Sequence, residues 1–239
     1  MGTRTTGIAM ILVPIAFNLI FFALGSAFDY PDILREPAGT ILRRFDDGGA
    51  ELVALWYAFA FTALLAVPLA LLLYGVFARE QPHLALAAAI AGVLSALVQA
   101  LGLFRWAFLV PLLADRYTSA EAAPAARESA VLVFEAAHRY LGVAVGEHLG
   151  YLFTAGWTIL LGALLFRSGR FSRWLGLLGL VPAAGILIGL LEPAGWDGAG
   201  AINAMGYVAW SVWLILLGVA LIAASPRQAS CADHRKTGA

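Results

Sequence analysis

The chain has 239 residues, of which 62% are hydrophobic and only 13% are charged, and its formal net charge is zero. Soluble domains carry about 25% charged residues, so this composition excludes an ordinary soluble domain and favours a protein embedded in lipid. The zero net charge and the lack of a basic patch give no sign of a nucleic-acid partner, and the single cysteine, Cys231, excludes an internal disulfide.

Six apolar runs follow one another along the chain, each close to the roughly 20 residues that a helix needs to cross a bilayer. We therefore predict an all-α fold, a polytopic membrane helix bundle that forms a single transmembrane domain over residues 1–224. The spans are expected at residues 8–28, 52–77, 84–114, 141–166, 174–191 and 202–224, followed by a disordered cytoplasmic tail at residues 225–239.

The first run has an alternative interpretation, because a cleavable signal peptide also begins with an apolar stretch. Signal h-regions are only about 7–15 residues long, and this run is longer, which favours a retained helix. The polar stretch at residues 29–50 contains the apolar pairs Ile33–Leu34 and Ile41–Leu42. It is either a short helix on the membrane surface or a solvated loop, and we expect the loop.

Basic residues in the short loops indicate the orientation of the bundle. Arg79, Arg167, Arg170 and Arg173 fall on one side, whereas the loop at residues 192–201 on the other side has neither Lys nor Arg. The basic residues of the first two outer loops have acidic neighbours. We therefore expect a multi-pass protein of the cell membrane, the inner membrane of a bacterium, with both termini in the cytoplasm.

The stretch at residues 131–166 is apolar except for a few ionisable residues in its first half. Ionisable groups are unfavourable in lipid and usually face the protein interior for a functional reason. Counting about 1.5 Å per residue along a helix, Arg105 of the third span lies at the depth of Glu147 and His148, near the outer leaflet. We predict a ligand site there, and its candidate residues are Arg105, Glu147, His148, Tyr151, Glu135 and His138.

The predicted pair of Arg105 with Glu147 has three interpretations. It is a buried ion pair that holds helices together, an anchor for an anionic or zwitterionic head group, or a pair with a proton-coupled role. Three glycines, Gly142, Gly146 and Gly150, repeat every four residues and leave one helix face bare, which predicts close packing against another helix.

A metal site is a further alternative. Glu135 and His138 have the i, i+3 spacing of helical di-metal sites, but such sites need a second pair and two more Glu residues. A zinc site needs a third ligand, and His148 lies about 15 Å further along a straight helix. It could join them only if the helix breaks at Gly142 or Gly146. We therefore expect no metal and no cofactor.

Two other groups of side chains carry expectations. Ser95 and Gln99 share a stripe of the third span, which predicts hydrogen bonds to another helix. Four tryptophans fall near the expected membrane interfaces, where an aromatic belt would explain them: Trp56, Trp106, Trp174 and Trp196.

Three segments carry a family resemblance: YLGVAVGEHLGYLFTAGW, RFSRWLGLLGLVPAAG and GYVAWSVWLILLGVAL. In the family a basic turn leads into an RWL-x-x-x-GL segment, which is matched here by Arg173, Trp174, Leu175, Gly179 and Leu180. The chain resembles a domain-of-unknown-function family of bacterial six-helix integral membrane proteins. The resemblance implies the six-helix fold and implies no activity.

These features favour an integral membrane protein of unknown activity that binds a lipidic or small amphiphilic ligand at a polar centre near the outer leaflet. Its partners would be membrane lipids and that ligand, and no nucleic acid. One alternative is a membrane-embedded enzyme, such as a metal-assisted lipid hydrolase, although the sequence has no recognised catalytic motif. The other is a small-solute transporter, although the chain has no paired halves.

Overall fold

The structure is a computed structural model that describes residues 2–236, and the side chains of residues 2–224. It is 88% helical, and the described residues contain no strand. Six helical stretches are long and apolar enough to cross a membrane: Thr3–Phe28, Ala38–Phe77, Pro82–Thr118, Pro124–Ser168, Arg173–Ala194 and Ala199–Ala224. The prediction of an all-α, multi-pass membrane fold is therefore confirmed.

Three of these stretches are each divided by a single-residue break, and a proline follows each break by two or three residues. The helices on either side are α2 (Ala38–Leu64) and α3 (Ala66–Phe77), α4 (Pro82–Phe108) and α5 (Val110–Thr118), and α8 (Arg173–Leu178) and α9 (Leu180–Ile188). The prolines are Pro68, Pro111 and Pro182. Proline has no N–H to bond the carbonyl four residues earlier, so the helical ladder is interrupted just before it.

The fourth stretch is continuous but changes its winding. It consists of α6 (Pro124–Ala137), a π-helix (His138–Leu149) and α7 (Gly150–Ser168). The sequence predicts that this helix either projects beyond the membrane or bends at Gly142 or Gly146. The helix ends at neither glycine, because both lie inside the π-helix. π-helical hydrogen bonds are rare and frequently occur at functional sites.

The remaining helices are α1 (Thr3–Phe28) and α10 (Ala199–Lys236), with short 3-10 turns at Asp32–Arg35 and Gly189–Ala194. The predicted tail at residues 225–239 lies outside the residues whose side chains are described, and its disorder stays a prediction.

The solvated loop expected at residues 29–50 is wrong. Helix α2 already begins at Ala38, and the side chains of Ile33, Ile41 and Leu42 are buried. These apolar residues pack into a protein core and not onto a membrane surface, so burying them stabilises the helix. Gly49 has φ 54° and ψ −151° and kinks α2, a backbone conformation that a residue with a Cβ rarely adopts.

The chain divides into two compact units. One, which we call the aromatic unit, comprises Ala16–Leu64 and Ala96–Gly150. The other, which we call the hydroxyl unit, comprises Met1–Ile15, Leu65–Ser95 and Tyr151–Ala239. The single transmembrane domain expected over residues 1–224 stays a prediction.

The aromatic unit has a core of large rings. The indoles of Trp56 and Trp106 stack with 4.6 Å between ring centroids and 10° between ring planes, and neither residue is exposed. Phe28 packs edge-on against both indoles. The aromatic belt expected for Trp56 and Trp106 is therefore wrong, because the helices bury these residues against each other, whereas Trp174 and Trp196 are exposed.

The hydroxyl unit has a core of mainly Leu and Ala side chains with a few buried rings, and neutral hydrogen bonds cross it. The hydroxyls of Ser95 and Thr154 lie 2.7 Å apart, which confirms the interhelical bond predicted for Ser95. The indole N–H of Trp210 donates to the hydroxyl of Thr158 over 2.8 Å, and the side-chain amide of Asn203 donates to the carbonyl of Ile186 over 2.9 Å.

Candidate functional site

Arg105 is a buried cation in the aromatic unit. It lies near the C-terminal end of α4 and is only 7% exposed. Its Nη1 donates to the carbonyl of Gly102, and its Nη2 lies 3.4 Å from Nδ1 of His138. The guanidinium carbon is 5.1 Å from the ring centroid of Trp106, close enough for a cation–π attraction.

Gly142 in the π-helix makes room for this guanidinium, and two further glycines of the same helical stretch pack against α4. A Cβ at Gly142 would lie 2.6 Å from Arg105 Nη2, and one at Gly146 would lie 3.1 Å from the Cα of Gly102. A Cβ at Gly150 would meet the side chain of Gln99 at 2.9 Å. The glycine stripe thus packs against α4, as predicted, because only a bare helix face allows so close an approach.

The loop after α1 brings a tyrosine to the same place. Ile33 is buried in the core of the aromatic unit and holds this loop down. The ring of the neighbouring Tyr30 packs edge-on against Trp56, with 5.1 Å between centroids. An ion pair of 2.6 Å between Arg44 and Asp29 ties the same loop to α2.

Electrostatic interactions link Tyr30, Arg105 and Glu147. Burial raises the pKa of the Tyr30 phenol above its ordinary value, the Glu147 carboxylate raises it further, and the Arg105 guanidinium opposes them. Arg105 and Glu147 also attract each other. The opposite charges predicted to meet at one depth therefore lie within electrostatic reach. We call Tyr30, Trp56, Arg105, Trp106, His138 and Glu147 together the polar centre.

Two N–H groups of the polar centre lack a hydrogen-bond acceptor. They are Nε of Arg105 and Nε1 of Trp56, both buried. A buried donor that makes no hydrogen bond costs about 1–3 kcal/mol, and native proteins contain few of them. An acceptor oxygen that reached either group would therefore be stabilised.

A family comparison identifies the kind of protein that carries this site. The family described as "Domain of unknown function (DUF4386)" matches residues 5–218. The chain belongs to this family. No curated protein and no solved structure matches the chain. The family assignment confirms the resemblance drawn from the sequence, and like that resemblance it assigns no activity to the polar centre.

Within this DUF4386 protein, the six candidate site residues differ in their surroundings. Arg105, His138 and Glu147 belong to the polar centre, whereas Glu135 and His148 are exposed. Tyr151 belongs to the hydroxyl unit, where its ring lies 5.8 Å from that of Tyr207. The ligand-binding role of all six residues stays a prediction.

Sequence reasoning missed three members of the polar centre. The sequence predicts Trp56 and Trp106 in an aromatic belt and Tyr30 in a solvated loop. For Tyr30, the large apolar side chains of Phe28 and Ile33 close to it in the sequence are a signal of burial. Among the described residues, no group of three or more His, Cys, Asp or Glu side chains could hold a metal ion.

Proposed function

We propose that the polar centre binds the head group of a lipid or small amphiphile. The observation that carries the proposal is the pair of buried N–H donors without an acceptor, Arg105 Nε and Trp56 Nε1. Lipids and amphiphiles bring acceptor oxygens on an apolar tail, so they satisfy these donors without exposing the surrounding rings to water.

The winding of the fourth helix supports this assignment. Glu147 and His138 both lie on the π-helix, as does Gly142, the glycine that faces Arg105. A π-helix is less favourable than an α-helix and is retained mostly where it serves a function. Ionisable groups within an apolar span are also more often functional than not.

We place the polar centre near the outer leaflet, with both termini in the cytoplasm. The arginines of the short loops support this orientation through the positive-inside rule. The only cysteine of the chain, Cys231, follows the last span, so a membrane-impermeant maleimide reports on the C-terminus without any mutation. We expect Cys231 to react only after the cells are permeabilised, and reaction in intact cells would reverse the orientation.

The binding proposal is tested with purified protein in detergent. Native mass spectrometry counts the molecules of phosphatidylethanolamine or phosphatidylglycerol that bind as each lipid is titrated. We expect one saturable site in the wild type and at least a tenfold loss of affinity in Arg105→Gln. Arg170→Gln is the matched control, because Arg170 is an arginine that interacts with a glutamate, at 2.8 Å from Glu80, but lies in the hydroxyl unit.

A second pair of variants covers the case in which Arg105→Gln does not fold. Trp56 and Trp157 are both fully buried, and both have an indole N–H without an acceptor, but only Trp56 belongs to the polar centre. We expect Trp56→Phe to weaken lipid binding and Trp157→Phe to leave it unchanged. Equal binding by all folded variants would show that the polar centre only holds the helices together.

A further inference from the structure

The ionised side chains of the polar centre cancel in charge. Arg105 carries one positive charge, and Glu147, which attracts it, carries one negative charge. A guanidinium only donates hydrogen bonds, so Nδ1 of His138 must accept from Arg105 Nη2, and the imidazole is neutral. Burial raises the pKa of Tyr30, so its phenol is neutral as well. The buried centre therefore has no net charge.

A site without net charge discriminates between head groups. Placing an unpaired charge in a poorly hydrated interior is strongly unfavourable. A purely anionic head group would compete with Glu147 for Arg105 and leave one carboxylate or phosphate uncompensated. A purely cationic head group would do the same with the guanidinium. A head group that is neutral overall avoids both penalties.

The hydrogen bonds of the polar centre further restrict which head group it would bind. Over the part of the chain whose side chains are described, the buried side-chain atoms that lack a partner are all N–H donors, two of them in the polar centre. The missing group is thus an acceptor. Phosphate oxygens are the strongest acceptors that lipids offer to an arginine, because the hydrogen bond is assisted by charge.

We propose that the polar centre selects a zwitterionic phospholipid. The phosphodiester accepts from Arg105 Nε and Trp56 Nε1, and the ammonium group lies against Glu147. Glu147 is only partly buried, so the ammonium reaches it without leaving water completely. This inference rests on the proposed function, because it names the head group that the same site would take.

The test compares three lipids with identical acyl chains in the same native mass spectrometry titration. Phosphatidylethanolamine carries phosphate and ammonium, phosphatidylglycerol carries phosphate alone, and diacylglycerol carries neither. We expect the wild type to bind phosphatidylethanolamine at least fivefold more tightly than phosphatidylglycerol, and diacylglycerol most weakly.

Substitution of the carboxylate should reverse the preference. Glu147→Gln gives the centre one net positive charge, so we expect it to bind phosphatidylglycerol more tightly than phosphatidylethanolamine. Glu80→Gln is the matched control, because Glu80 pairs with Arg170 in the hydroxyl unit. Glu80→Gln should keep the wild-type order of the three lipids.

The possible results separate this inference from the proposed function. If Arg105→Gln reduces binding but the wild type prefers phosphatidylglycerol, or binds diacylglycerol equally well, the lipid site stands and the zwitterion selection is wrong. An unchanged preference in folded Glu147→Gln would also overturn the selection. If no lipid shows binding that depends on Arg105 or Trp56, the proposed function itself fails.

Discussion

The hydroxyl unit and the aromatic unit bury polar side chains in different ways. In the hydroxyl unit the buried polar side chains are neutral, and pairs such as Ser95 with Thr154 and Trp210 with Thr158 form hydrogen bonds. In the aromatic unit the buried polar groups include a cation, Arg105. Buried N–H donors without an acceptor occur in both units, at Arg105 and Trp56 in one and at Trp157 in the other, so the charge is what distinguishes the units. Neutral pairs suffice to hold helices together, so the buried charge of the aromatic unit is the feature that the proposed ligand binding would explain.

The largest expected difference between the units concerns loss of an arginine. Arg105→Ala removes a buried guanidinium that attracts Glu147 and contacts His138. Because loss of one partner of a fully buried pair costs about 3–5 kcal/mol, that range is the upper bound for this variant. Arg170 has a 29% exposed side chain and Glu80 a 40% exposed one, and such partly exposed pairs contribute only about 0–1 kcal/mol. Thermal unfolding in detergent compares the loss of stability in Arg105→Ala with that in Arg170→Ala. Equal losses would show that the charge of Arg105 is not buried in the folded protein.

The next largest effect is expected from Gly→Ala substitutions, because each of the two units contains helices that pack closely at glycines. A Cβ at Gly102 would lie 2.7 Å from the Cα of Gly146, and one at Gly206 would lie 2.7 Å from the backbone nitrogen of Ile186. Backbone atoms cannot move aside as a side chain can, so we expect Gly102→Ala and Gly206→Ala each to destabilise the fold by about 1–3 kcal/mol.

The control for glycine packing should change stability in the opposite direction. A Cβ at Gly156 of α7 would meet nothing within 4 Å, so only the helix propensity changes. Gly156→Ala should therefore stabilise the protein by about 0.5–1 kcal/mol. A loss of stability in Gly156→Ala, measured by the same unfolding experiment, would contradict the packing described here.

A smaller effect is the pH dependence of stability that Tyr30 gives to the aromatic unit. The folded pKa of Tyr30 is raised above its unfolded value of about 10, so its stabilising contribution is complete below pH 10. Above that pH the unfolded chain loses the phenolic proton first, and stability falls by at most about 1.4 kcal/mol per pH unit. Tyr30→Phe should lack this part of the alkaline loss. Parallel curves for wild type and Tyr30→Phe between pH 9 and about 11 would contradict the burial of the phenol.

The features that the sequence predicts correctly are local ones. Hydropathy runs predict six spans, and a period of four predicts the packing face of Gly142, Gly146 and Gly150. Counting the rise per residue along the helices predicts Arg105 and Glu147 at the same depth, because this rise is nearly the same in every helix. None of these inferences requires knowledge of which helices are neighbours.

The features that sequence reasoning misses depend on tertiary structure. Tyr30 reaches Trp56 because Ile33 is buried and folds the loop back, and no local pattern encodes that contact. The π-helix at His138–Leu149 is a second feature of this kind. It bonds residues five apart and not four, so a helical wheel with α-helical spacing does not describe the faces of Glu147 and His148.

The smallest expected effect is that of a single neutral hydrogen bond in the hydroxyl unit. Ser95→Ala and Thr154→Ala each remove one hydroxyl of the 2.7 Å pair, and a double-mutant cycle isolates their interaction. Such pairs between membrane helices contribute about 0.6 kcal/mol on average, because each hydroxyl finds another acceptor when the pair is broken. We expect a coupling of about that size, far below the effect of Arg105→Ala. A coupling of several kcal/mol would mean that neutral hydroxyls hold the helices as firmly as a buried charge, and the contrast between the two units would disappear.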